Sequence, residues 1–96
     1  MSVIVEMLPW YVNWWKDFHT CLTPSQSWLD QMIGRIPCYD CKVGVMNILQ
    51  KNPPTFTTDE YFPWTVLIHN AVTLQLVPSA KTMTVEQARE LWNVPA

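Results

Sequence analysis

The fold is decided by the segment WTVLIHNAV at positions 64–72. Its residues are mostly apolar and show no strand-like alternation, which predicts a buried helix. We expect this helix to start close to Pro63 and to run to about Val77, after a capping box at Thr57–Glu60 and a short turn near Asp59. The chain has only two glycines in 96 residues, so it has little of the turn chemistry that hairpins need.

Three helices are predicted before this segment and one after it. Prolines and capping boxes set their limits. The first runs from Pro9 to about Leu22, and the second from an N-cap at Thr23, with Gln26 closing a capping box, to Pro37. The third runs from Cys38 to Pro53, and the helix after the segment from an N-cap at Thr84 to Trp92. The pattern predicts an all-α fold, a four-helix bundle with a short fifth helix, in one domain that spans residues 1–96.

Apolar and aromatic residues recur at helical spacing within these segments. The first helix carries two adjacent stripes, one of Trp10, Trp14, Phe18 and Cys21 and the other of Tyr11, Trp15, His19 and Leu22. In the second helix we expect burial of Trp28, Leu29, Met32, Ile33 and Ile36, and in the third of Val45, Ile48 and Leu49. These stripes predict the faces on which the helices pack.

Composition excludes several classes of protein. An apolar share of 49% with 15% charged residues argues for an ordered domain. The net charge of −2 and the pI near 5.5 disfavour nucleic-acid binding. Met1–Met7 has no basic region typical of a secretory signal, and no apolar run approaches the roughly 20 residues that span a bilayer. We therefore expect a cytoplasmic protein, in a host cytoplasm or a virion if the chain is viral.

Cys38 and Cys41 form a Cys-x-x-Cys pair at the predicted start of the third helix. This spacing allows reversible oxidation, and a helix N-terminus stabilises a thiolate. A thioredoxin-like reading would need a preceding strand and a βαβ pattern, which are absent. A zinc site that also uses His19 and His69 remains open, although those histidines lack a usual zinc spacing. An inert pair of buried thiols is the third alternative.

His69 and Asn70 are polar residues in the middle of an apolar helix, where an unpaired polar group costs free energy. They could simply bond backbone carbonyls in the core. Alternatively, His69 and Thr73 share a helical face and could meet one ligand. Trp15 and His19, four residues apart, have the same relation on the first helix. The two faces and the dithiol could together form a pocket for a flat polar cofactor between helices.

Three motifs in combination resemble the Erv/ALR family of FAD-linked sulfhydryl oxidases. They are Trp15-x-x-x-His19, Pro37-Cys38-x-x-Cys41, and Trp64 followed by His69-Asn70-x-Val72. The resemblance extends over about Leu8 to Trp92. In length and layout the chain is most similar to the small single-domain members encoded by large DNA viruses, and the stretch at 51–54 is also like theirs.

The resemblance implies a helical bundle with FAD bound at its mouth. Cys38 and Cys41 would be the catalytic pair, with Cys41 facing the isoalloxazine. The other implied FAD contacts are Trp15 and His19 lining the site, His69 and Asn70 at the adenine and ribose end, Lys81 at a phosphate and Trp92 as a stacking residue. Thr73 stands where the family usually has Asn. The segment Pro78–Lys81 replaces the usual Gly-Lys.

By the same resemblance, a substrate thiolate would attack Cys38 in a Cys38–Cys41 disulfide. Electrons would pass through Cys41 and the flavin to oxygen, giving hydrogen peroxide. With no second Cys pair as a shuttle, the partner would be a separate dithiol protein or a thioredoxin-like carrier. Members are commonly homodimers. Cys21, the odd cysteine, is expected to pack as a small hydrophobe. The competing class is a non-enzymatic helical module, zinc-stapled or a dimeric interaction protein.

Overall fold

The computed structural model describes residues 9–94. Its five helices are α1 Pro9–Thr20, α2 Gln26–Gly34, α3 Tyr39–Lys51, α4 Thr58–Leu76 and α5 Val85–Trp92. No strand occurs within these residues, so the all-α prediction with a short fifth helix is confirmed. The prediction that Met1–Met7 is not a secretory signal concerns residues outside those that the structure describes. None of the described helices is long and apolar enough to cross a bilayer.

Helix α4 is the centre of the bundle and packs against α1, α3 and α5, while α2 packs against α3. The predicted start of this helix near Pro63 is wrong, because Pro63 lies inside it. Proline at this position removes the hydrogen bond to a carbonyl of the first turn, and its ring crowds that carbonyl. That first turn buries Tyr61 and Phe62, which offsets the loss. The hydroxyl of Tyr61 donates to the Phe18 carbonyl at 2.6 Å and ties α4 to α1.

The capping box predicted before α4 is also wrong. Thr57 is the N-cap, but its side chain makes no capping hydrogen bond. The Glu60 carboxylate instead accepts from the Thr55 hydroxyl at 2.9 Å, so it is not available to reach back to the N-cap. The capping box at Thr84 and Gln87, by contrast, is fully formed at the start of α5.

The junction between α1 and α2 differs from the prediction. Helix α1 ends at Thr20, and Leu22, predicted on a buried stripe, is 95% exposed. Helix α2 is capped by Ser25 rather than Thr23, because Ser25 has an extended backbone and its hydroxyl accepts from the Trp28 N–H at 3.1 Å. Gln26 donates to Asp30 at 2.9 Å instead of closing a capping box. The helix ends at Gly34, three residues before Pro37.

The core is an aromatic cluster around Phe18, which is completely buried. The indole N–H groups of two core tryptophans make hydrogen bonds between helices. Trp14 on α1 donates to the Met32 carbonyl on α2 at 2.7 Å, and Trp64 on α4 donates to the carbonyl of Asn52, the C-cap of α3, at 3.1 Å. Cys21 is partly buried against this core, as predicted. The bundle thus holds α1 and α4 in a fixed register, on which the site depends.

Candidate functional site

The dithiol lies at the start of α3, as predicted. Cys38 is the N-cap residue, and its sulfur accepts a hydrogen bond from the backbone N–H of Cys41 at 3.3 Å. The first helical turn therefore places Cys41 beside Cys38. Both are free thiols of intermediate exposure, and the neighbours Pro37, Tyr39 and Asp40 are exposed.

The two thiols differ chemically. The pKa of Cys38 is lowered, chiefly by the hydrogen bond with the Cys41 side chain and further by the backbone N–H groups of Cys41 and Asp40. The pKa of Cys41 is raised to about 11, first by burial and then by its hydrogen bond to Cys38. Of the two, Cys38 is therefore the thiol that ionises more readily, while Cys41 stays protonated at neutral pH.

Cys41, but not Cys38, opens onto a small apolar cavity of about 170 Å³, which we call the cysteine cleft. Helices α1, α3 and α4 contribute its walls. Its lining residues are Trp10, Tyr11, Trp14, Trp15, Ile36, Asp40, Cys41, Gly44, Val45, Val72, Gln75 and Leu76. The flat indole and phenol walls suit a planar ring next to the Cys41 sulfur.

A second cavity of about 290 Å³, the histidine cleft, lies between α1, α4 and the segment leading into α5. It is lined by Tyr11, Val12, Trp15, His69, Asn70, Thr73, Lys81, Met83 and Trp92. Six of the eight residues predicted to bind a cofactor meet here, including Lys81 and Trp92. Tyr11 and Trp15 line both clefts, so the clefts adjoin each other.

The ring of His69 is stacked on Trp15, with the ring centres 3.8 Å apart and the planes 6° from parallel. His69 Nδ1 lies 2.9 Å from His19 Nε2, and His19 Nδ1 lies 2.8 Å from the Thr65 hydroxyl. His19 is only 2% exposed and lines neither cleft. Its ring contacts His69, and contact of His19 with a ligand in either cleft would require rearrangement. His19 does line a separate cavity, together with Thr20, Cys21 and Phe62.

Burial sets the charge of the two histidines. It lowers the pKa of His19 to about 3, with a further contribution from His69, and lowers the pKa of His69 to about 4. Both rings are therefore neutral at pH 7.

The free energy of unfolding should consequently fall as the pH drops from about 7 to about 4. A histidine titrates near 6.5 in the unfolded chain, so between that value and the folded pKa the unfolded state binds more protons. Each histidine contributes a slope of about 1.4 kcal/mol per pH unit near pH 5. Urea titrations at pH 7, 6 and 5 would measure it. The double variant His19→Phe/His69→Phe keeps the carboxylates, so its free energy of unfolding should depend on pH less steeply than that of the wild type. Equal slopes in the two proteins would contradict the conclusion that both histidines are neutral in the folded state.

Asn70 lines the histidine cleft and also stabilises the fold through its side-chain hydrogen bonds. Its side-chain amide donates to the Met83 carbonyl at 2.8 Å, and its oxygen accepts from the Met83 N–H at 2.9 Å. These two hydrogen bonds join the segment before α5 to α4. Lys81 and Trp92, on either side of Met83, therefore lie near His69. One amide hydrogen and one lone pair remain for a ligand.

Sequence reasoning missed Thr65 and Met83. Thr65 lies four residues before His69, so helical spacing on α4 could have identified it as a neighbour. Nothing in the sequence signals Met83, because its role depends on its backbone atoms.

The zinc alternative finds no support in the geometry. Within residues 9–94, no group of three or more histidine, cysteine or acidic residues lies close enough to hold a metal. His19 and His69 direct nitrogens at each other, and the cysteine pair lies at the other cleft.

The lining of the two clefts suits a flat dinucleotide such as FAD. The indole nitrogen of Trp92 is buried without an acceptor among residues 9–94, although this residue lines the histidine cleft. The two clefts combine aromatic walls, a lysine and a few polar groups, which is the kind of lining that small-molecule and cofactor sites have.

Comparison with known proteins adds no further constraint. No protein-family model, no curated protein and no solved structure matches this chain.

Proposed function

We propose that this chain is an FAD-dependent thiol oxidase that forms disulfide bonds in protein substrates. One observation carries the proposal: the dithiol is asymmetric. Cys38 lies among exposed residues and has the lowered pKa, while Cys41 lines an aromatic cleft that shares Tyr11 and Trp15 with the histidine cleft. Such a pair can take electrons from a large substrate outside and deliver them to a cofactor inside.

The exchange steps follow from this asymmetry. A substrate thiolate attacks the Cys38 sulfur of the Cys38–Cys41 disulfide, forming a mixed disulfide and releasing Cys41. A second substrate thiolate then attacks the substrate sulfur of the mixed disulfide and releases Cys38. Access decides the first step, because Cys38 lies among exposed residues while Cys41 lines the cleft. The lowered pKa of Cys38 favours its release in the second step. Two electrons and two protons pass from the substrate to the cysteine pair.

FAD, when bound, supplies the electron acceptor for Cys41 and the route to oxygen, which becomes hydrogen peroxide. The residues that would hold it are those of the histidine cleft, with the isoalloxazine end in the cysteine cleft beside Cys41. The apolar walls of the cysteine cleft would exclude water from the Cys41 sulfur.

Oxygen uptake with a small dithiol tests this function. We expect the purified protein to consume one oxygen molecule and to form one hydrogen peroxide for each disulfide produced. Free FAD at the same concentration is the control. A flavin-loaded protein that consumed no oxygen with any dithiol would contradict the proposal and favour a non-enzymatic interaction module.

Replacing Cys21 by alanine should leave turnover and flavin content within about twofold of the wild type. Cys21 packs against the aromatic core and lies on the side of His19 away from both clefts. The measurements are the oxygen-uptake rate and the flavin-to-protein ratio. Loss of turnover with flavin and fold retained would show instead that Cys21 relays electrons.

We also propose that the oxidase is a homodimer. Apolar side chains on the outer faces of α3 and α4 are exposed, among them Val43, Met46, Leu67 and Leu74. A second copy could cover them, and C₂ dimers are the commonest assembly. Light scattering should give twice the mass of one chain at working concentration, and a monomer would contradict this proposal.

A further inference from the structure

Thr65 carries a hydroxyl whose proton has a defined position. The side chain is completely buried on α4, and its hydroxyl donates to the Phe62 carbonyl at 2.6 Å. A hydroxyl has one hydrogen, so toward His19, 2.8 Å away, the Thr65 oxygen can only accept. If the Thr65 hydroxyl donated to His19 instead, the Thr65 and Phe62 oxygens would lie 2.6 Å apart with no hydrogen between them.

The order of protons then follows along the chain of side chains. His19 must carry its hydrogen on Nδ1, and because the ring is neutral, its Nε2 is bare. The bare Nε2 accepts from His69 Nδ1 at 2.9 Å, so His69 also carries its hydrogen on Nδ1. The remaining nitrogen, His69 Nε2, is therefore a hydrogen-bond acceptor.

This last nitrogen is available to a ligand. Nε2 lies across the imidazole ring from Nδ1 and so points away from His19, and His69 lines the histidine cleft. The Trp15 stack holds the ring plane, which limits reorientation of the imidazole.

We propose that Thr65 orders the protons of His19 and His69 so that the histidine cleft presents a fixed acceptor, which selects a planar heteroaromatic ring bearing an amino donor. Thr65 touches no ligand and acts through two other side chains, so it is a positioning residue. The inference on ligand class deepens the proposed function, since the adenine of FAD carries such an amino group. The proton order itself needs no ligand.

Nitrogen NMR of the full, untagged chain tests the proton order directly, because the protein has only two histidines. We expect both to be neutral with the hydrogen on Nδ1. In Thr65→Val, His19 loses its acceptor and should move its hydrogen to Nε2, which forces His69 to carry its hydrogen on Nε2. Thr65→Ser retains the hydroxyl and should keep the wild-type order. A wild-type His69 with its hydrogen on Nε2 would overturn the proposal, whether or not Thr65→Val folds.

Binding of two nucleotides tests the selection. AMP carries an amino donor where IMP carries a carbonyl acceptor, and a mismatched hydrogen bond in a buried site costs about tenfold or more in affinity. The wild type and Thr65→Ser should prefer AMP by at least that factor, and Thr65→Val should lose or reverse the preference. Equal affinities, or binding of neither nucleotide, would overturn the inference on ligand class. An AMP preference in a protein that binds no FAD would support this inference and refute the proposed function.

Discussion

Cys38→Ser and Cys41→Ser should each lower the rate of dithiol oxidation by at least about a hundredfold, because disulfide exchange needs both sulfurs. Bound flavin should be retained in both variants, since one hydroxyl in place of a thiol hardly alters the cleft walls. The rate is measured as oxygen uptake, and the flavin as its visible absorption per chain.

The two variants should differ in what they trap. Cys41→Ser keeps Cys38, and the serine hydroxyl can still donate to the Cys38 sulfur, so this variant should accumulate a mixed disulfide at Cys38 with an oxidised small thiol. Cys38→Ser should form far less, because Cys41 is the protonated thiol at the inner cleft. Cys21→Ala is the matched control for loss of a cysteine elsewhere. Full turnover by Cys41→Ser would refute the mechanism.

The second large effect is expected at His69. His69→Ala removes the ring stacked on Trp15 and leaves His19 Nε2 without its donor, so FAD should be lost or bound much more weakly. Loss of the cofactor also lowers thermal stability by linkage. The measurements are the flavin-to-protein ratio after gel filtration and the melting temperature with and without added FAD.

Asp59→Ala is the matched control, since Asp59 is on the same helix, exposed, and outside both clefts. Trp15 is 2% exposed, and its truncation to alanine would cost about 3–5 kcal/mol of stability. Trp15→Phe therefore tests the shared wall more safely and should also weaken FAD binding. Stoichiometric flavin in both His69→Ala and Trp15→Phe would refute the assigned binding face and leave only the redox pair.

Periodicity and proline positions were enough to predict five helices, the Cys38 position at the start of α3 and the end of α4. The errors occur where two local signals compete. Both Thr23 and Ser25 are residue types that can cap a helix, and Ser25 is the one whose hydroxyl accepts from the Trp28 N–H. Likewise, Pro63 marks a probable helix start in the sequence, but burial of Tyr61 and Phe62 extends α4 beyond it.

For the site, the motifs predicted residues that the structure brings to two adjoining clefts, with Cys38 just outside them. What the sequence could not predict is the contact between His19 and His69, which are 50 residues apart and meet only because α1 packs on α4. The support role of His19 and the position of Thr65 behind it follow from that packing. Whether these residues bind FAD stays a prediction.

The central claim, a flavin placed to take electrons from the dithiol, is tested most directly by one absorption experiment. The freshly purified protein is sealed under nitrogen, its visible spectrum is recorded, and a small dithiol is added. The account predicts the yellow absorption of about one flavin per chain, bleached by the dithiol in the wild type but not in Cys41→Ser, and restored by air. A colourless protein that stays colourless after incubation with FAD, or a flavin that the dithiol does not bleach, would contradict it.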